Sequence, residues 1–181
     1  EMAYLYEHVG NRQAMYQQLN QLYEEYPFHH DSLVMTAKML HQDEQYRRQI
    51  PYLQQALLYA RGDESVIAQL TGWLGLAYFK SGDDVRAERA LRSVPSQYPD
   101  QVHYALQAYA TLIRYAEDAG RMERVADHAA DAEGYAEKAE RMGLAQAYPP
   151  FYRKMVQIMR LAGDDAAVQK WQRRSLENRP N

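Results

Sequence analysis

A chain of 181 residues that is 46% apolar and 25% charged can bury one sizeable core or carry four to five stacked helical units. A net charge of only -3 supplies no dense Lys and Arg cluster of the kind that holds a DNA or RNA backbone, which argues against nucleic acid as a partner. The absence of cysteine removes disulfides, thiolate metal sites and cysteine nucleophiles, and no apolar run reaches the roughly 20 residues that a membrane span needs.

Taken in order, Met2 to Tyr6 read as the end of a helix stopped near Gly10, and Asn11 opens a second helix. Its apolar sites Met15, Leu19, Leu22, Tyr23 and Tyr26 recur at helical spacing before Pro27. Asp31 or Ser32 is suited to cap the next helix, which turns Leu33, Val34, Ala37 and Leu40 inward. Its partner carries Leu53, Ala56, Leu57 and Tyr59 and stops at Gly62. The turn between the two, HQDEQYRR, has no glycine, and Pro51 falls either in the first turn of the partner or just before it.

The clearest stretch is Leu70 to Asp100. Leu70, Leu74, Ala77 and Tyr78 form one stripe, Gly82 stops the helix, and Asp83 can cap the next. Val85, Ala87, Ala90, Leu91 and Val94 then make a second stripe until Pro95 and Pro99 end it. A longer pair follows, with Val102, Ala105, Ala108, Tyr109, Leu112, Ile113 and Ala116 in one helix, Gly120 at the turn, and Val125, Ala129, Ala132, Tyr135, Ala136 and Ala139 in the other. Gly134 is a weak point in the second of these. A last pair has Phe151, Met155, Val156, Ile158 and Met159, a turn at Gly163 capped by Asp164, then Val168, Trp171 and Leu176 before Pro180. No alternating stretch bounded by turn residues predicts a strand.

The stretch from Leu70 to Asp100 resembles a tetratricopeptide repeat, in which paired helices stack with a period of about 34 residues. Leu74, Gly75, Tyr78, Gly82, Ala87, Leu91 and Pro99 carry the match. The family's usual tryptophan site falls on Thr71, with Trp73 two residues on. The intervals from Gly10 to Pro27 and from Gly163 to Pro180 equal that from Gly82 to Pro99, so the resemblance covers nearly the whole chain. It implies an all-α fold, an α-solenoid of stacked antiparallel helix pairs wound as a right-handed superhelix. One array over 1–181 is expected, with repeats of roughly 1–29, 30–64, 65–100, 101–143 and 144–181 and the first truncated. The chain opens inside a helical pattern without a cap, as expected of a piece excised from a longer protein, so its compartment stays open between cytoplasm and periplasm.

In such arrays the first helix of each pair lines the concave face where partners bind. On this chain the resemblance places there Tyr4, Glu7 and His8; Val34, Lys38, His41 and Gln42; Leu76, Phe79 and Lys80; Arg114, Glu117 and Asp118; and Arg153, Gln157 and Arg160. Leu76 and Phe79 would be apolar anchors, while Lys38, Lys80, Arg114 and Arg153 would hold carboxylates or carbonyls of an extended segment. Family members that grip a chaperone's acidic tail use a lysine and an asparagine from adjacent turns. Here those sites read Val34 and Lys38, Gly72 and Leu76, or Ala110 and Arg114, so that clamp is not reproduced.

Many of the 16 tyrosines fall on buried stripes, where the ring fills space; Tyr4, Tyr6, Tyr104 and Tyr115 lie near the groove side. No HExxH pattern or i, i+4 histidine pair marks a metal site, and His29 and His30 read as loop residues. The serines sit mostly at turns and caps, no glycine-rich phosphate loop is present, and the acids are dispersed on exposed helix faces. The expectation is therefore a non-enzymatic interaction module, without cofactor or metal, that binds a protein or peptide in its groove. The alternative is a docking segment of a longer array in a bacterial envelope or exopolysaccharide-export assembly, with self-association through uncapped ends.

Overall fold

The computed structural model describes residues 12–144, 148–161 and 163–178, and among these it contains nine helices and no strand. They are α1 (Arg12–Glu25), α2 (His30–Gln42), α3 (Tyr46–Tyr59), α4 (Glu64–Lys80), α5 (Asp84–Gln97), α6 (Val102–Asp118), α7 (Met122–Arg141), α8 (Pro149–Leu161) and α9 (Asp165–Glu177). Backbone contacts divide the chain into two compact units, Glu1–Ala90 and Leu91–Asn181, and the division falls inside α5.

One turn is used repeatedly. Three-residue connections join α2 to α3, α4 to α5 and α6 to α7, so each pair runs antiparallel. At each of them the chain bonds back across five residues: Gln45 N–H donates to the Leu40 carbonyl at 2.8 Å, Asp83 to Tyr78 at 2.9 Å and Arg121 to Ala116 at 2.8 Å. Asp164 does the same to Met159 at 3.1 Å between α8 and α9. This reversal needs one left-handed residue, supplied by Gly82 (φ 83°), Gly120 (φ 69°) and Gly163 (φ 71°). The glycine-free turn has Glu44 in that place, at φ 56°.

Helix starts follow side-chain chemistry. The carboxylates of Asp63, Asp83 and Asp164 accept backbone N–H groups of α4, α5 and α9. For α2 the cap is neither Asp31 nor Ser32, both of which lie within the helix. His29 holds the position, its ring nitrogen accepting from Ser32 N–H at 3.3 Å. Both prolines expected near helix ends lie inside helices. Pro51 is in the second turn of α3, on its exposed side one turn after the exposed Arg47, and Pro95 is buried two residues before the end of α5. The Pro95 carbonyl accepts the Tyr135 hydroxyl at 2.7 Å.

In the first unit α3 packs against both α2 and α4 around Leu33, Ala37, Leu53, Ala56, Leu70, Leu74, Ala77, Tyr78 and Ala87. Met15 and Leu19 of α1 meet Met35 and Met39 of α2 in a second cluster. In the second unit α6 presents its wide apolar face to α7, whose Val125, Ala129, Ala132, Ala136 and Ala139 are buried and small enough to allow close approach. Tyr152 and Met155 of α8 and Trp171 of α9 close the last pair. Tyr26, Val85 and Leu176, expected on buried stripes, are instead exposed at helix ends, where a stripe outruns its partner. In this unit Arg174 reaches Glu137 at 2.9 Å and Glu140 at 3.5 Å and lies over the Trp171 ring, and Lys170 pairs with Glu133.

Candidate partner-binding faces

Among the described residues, α2, α4, α6 and α8 each use one stripe for the core, and the expected binding residues lie on the adjacent stripe. Tyr4, Glu7 and His8 lie outside the described residues. Each unit has its own arrangement for the rest.

In the first unit the face is built by α2 and α4. Val34 is half-buried against the core, Lys38 is half-buried, and Gln42 is exposed. His41 leaves the last turn of α2 and stacks on the indole of Trp73 in α4, with ring centres 5.6 Å apart and planes at 13°. Tyr46 meets the same imidazole edge-on at 5.8 Å. The His41 Nδ1 is shielded from solvent with no hydrogen-bond partner among the described residues. One turn beyond Trp73, Leu76 and Phe79 are half-buried, Phe79 against the core rim, and the Lys80 ammonium lies 5.7 Å from the Phe79 ring centre. The result is an aromatic and aliphatic shelf edged by two lysines. Trp73 is a member that the sequence reading did not include, although its spacing to Leu76 and Lys80 (i, i+3, i+7) puts it on the same face.

In the second unit the face belongs to α6 and α8. Arg114 and Asp118 are exposed on α6, and Arg153, Gln157 and Arg160 are exposed on α8. Glu117 is not free: it forms an ion pair with Lys154 of α8 that ties the two helices together. Arg114, Arg153 and Arg160 have no acidic partner among the described residues. Nearer the start of α6, the Gln107 amide donates to His103 Nε2 at 2.8 Å, which leaves Nδ1–H to donate to the Tyr148 hydroxyl oxygen. Burial lowers the His103 pKa and raises that of Tyr148, so this pair is neutral around pH 7. Tyr104 meets His103 edge-on at 5.0 Å, whereas Tyr115 is buried with Arg121 over its ring and offers no open stacking surface.

These faces present guanidinium, ammonium and amide donors beside aromatic rings, a set suited to hold main-chain carbonyls, carboxylates and apolar side chains. Among the described residues no three His, Asp or Glu side chains converge as metal ligands, and no helix is long and apolar enough to cross a membrane.

No family model matches the chain, and no curated protein matches it by sequence. Among solved structures it is similar to one titled "Crystal structure of MamA protein", with a TM-score of 0.71 and 14% identity over 97% of this chain and 87% of that one. A second, titled "Crystal structure of MamA", aligns with a TM-score of 0.74 and 14% identity over 98% of this chain and 94% of that one. At that identity the likeness is one of fold: the chain is an all-α, tetratricopeptide-like solenoid of stacked antiparallel helix pairs.

Proposed function

We propose that the chain is a non-enzymatic interaction module that holds a segment of a protein partner on the faces of its first helices. The observation that carries this reading is the division of labour within each pair. The core takes one stripe of α2, α4, α6 and α8, while the adjacent stripe keeps cationic groups accessible and leaves aromatic ring surface in contact with water, which packing alone does not require. In this reading residues 1–181 form one array of four to five tetratricopeptide repeats, and the MamA structures support it by sharing the fold across nearly the whole chain.

The groove is tested by charge reversal at one site in each unit. A partner recovered with the tagged chain by cross-linking and mass spectrometry should be lost when Lys80→Glu and Arg114→Glu are combined, with helicity by circular dichroism unchanged. Undiminished recovery from that well-folded double variant rejects the assignment of the binding face.

A further inference from the structure

We infer that the α6 and α8 face of the second unit takes an acidic segment, with carboxylates about three residues apart. The inference rests on reading the first-helix faces as the partner-binding side and adds the chemistry of the partner.

Its basis is a charge imbalance on this face. Elsewhere in the unit several cations are matched: Arg92 meets Asp131 at 3.8 Å, Lys138 meets Asp100 at 2.6 Å, Lys170 pairs with Glu133, and Arg174 is surrounded by Glu133, Glu137 and Glu140. Among the described residues, the only matched cation on the α6 and α8 face is Lys154, which Glu117 neutralises. Arg114, Arg153 and Arg160 remain, all exposed, against a single unmatched acid, Asp118. A guanidinium is the side chain best shaped to take a carboxylate through two parallel N–H donors, and three of them on two adjoining helices give a face that attracts anions.

Spacing narrows the ligand. Arg153 and Arg160 are seven residues apart on one side of α8, about 10 Å along the axis. Gln157, between them, offers both a donor and an acceptor to a main chain lying across it. A segment in the polyproline II conformation repeats every three residues and rises about 9 Å over that interval, so acidic side chains at i and i+3 point the same way at nearly the right separation. An alternating extended strand would put i and i+3 on opposite sides.

The probe is a fluorescein-labelled peptide with glutamates at i and i+3 in a proline and alanine background, titrated with the full chain and followed by anisotropy. Binding should weaken at least tenfold between 50 and 300 mM NaCl. It should also weaken at least tenfold in the Arg114→Glu, Arg153→Glu, Arg160→Glu variant, and in the milder three-glutamine variant should the first lose helicity. A peptide of equal charge with adjacent glutamates should bind less tightly. Equal affinity in the folded triple variant, equal affinity for a lysine peptide, or tighter binding of a single-stranded oligonucleotide would each overturn the inference. So would a concentration-dependent dimer that the triple variant abolishes, since a second copy would then be the occupant. Leu76→Ala with Phe79→Ala separates the two levels. If that pair abolishes recovery of a cross-linked partner while the acidic peptide binds nowhere, the general reading stands and this one falls; if neither depends on its residues, both fall.

Discussion

At Glu44 the backbone holds a φ of 56°, a conformation that crowds the Cβ of any L-residue and that glycine adopts at the equivalent turns. Glu44→Gly should therefore stabilise the protein by about 1 kcal/mol, read as a shift in the urea midpoint. Gly82→Ala should cost a similar amount, although nothing lies within 4 Å of an added Cβ. The site was invisible in sequence because no residue type at position 44 marks the turn; the five-residue hydrogen bond does. Gln49 is a second such residue. Its side chain is fully buried, and neither amide atom has a hydrogen-bond partner among the described residues. Replacing it by leucine removes two unsatisfied groups, and a gain of about 1–3 kcal/mol is expected. A loss of stability in Gln49→Leu would show that the amide is satisfied after all. His29 was missed for the converse reason: caps are sought among Ser, Thr, Asp and Asn, yet an unprotonated ring nitrogen accepts a backbone N–H equally well in geometry.

Single helices were readable where period and punctuation agreed. Gly82, Gly120 and Gly163 mark three of the turns, and the stripes of α4 and α6 are those that the core uses. Proline misled, because both residues lie near a helix end, Pro51 in the second turn of α3 on its exposed side and Pro95 with only two residues of α5 left to run. Gly134, in the middle of the 20-residue α7, was read as a weak point and lies in open space with ordinary helical backbone. Gly134→Ala should raise stability by about 0.5–1 kcal/mol, measured by thermal unfolding. The stack of His41 on Trp73 lay beyond single-helix reasoning, since it joins residues 32 positions apart on different pairs.

For the molecule as a whole, stability should fall on the acid side in two steps. Burial depresses the His103 pKa below 6.5, so between that value and the lower folded one the unfolded chain binds the extra proton, and stability declines as pH drops through the window. Glu137, held down by the Arg174 hydrogen bond, and Asp100, held down by Lys138, contribute stability that is present above their ordinary values of 4.5 and 3.8 and lost as pH falls below them. Urea midpoints between pH 8 and 5 should trace the first step, and His103→Gln should flatten it; an unchanged slope in that variant would exclude His103 as its source. The solenoid was legible at this scale because repetition multiplies weak local signals. Of the proposed face, helical spacing places Arg114, Arg153 and Arg160 outward but cannot tell that Glu117 is consumed by Lys154 while they stay unmatched among the described residues.

The packing of α2, α4, α6 and α8 against helices next to them in the chain, across reversals as short as three residues, also bears on how quickly the molecule reaches its native state. Little chain must be looped out before a contact is made, so the search is entropically cheap and each hairpin can assemble as soon as it is synthesised. Refolding from urea should accordingly lie in the microsecond-to-millisecond range found for helical proteins with near-neighbour contacts, unless isomerisation at its prolines adds a slow phase.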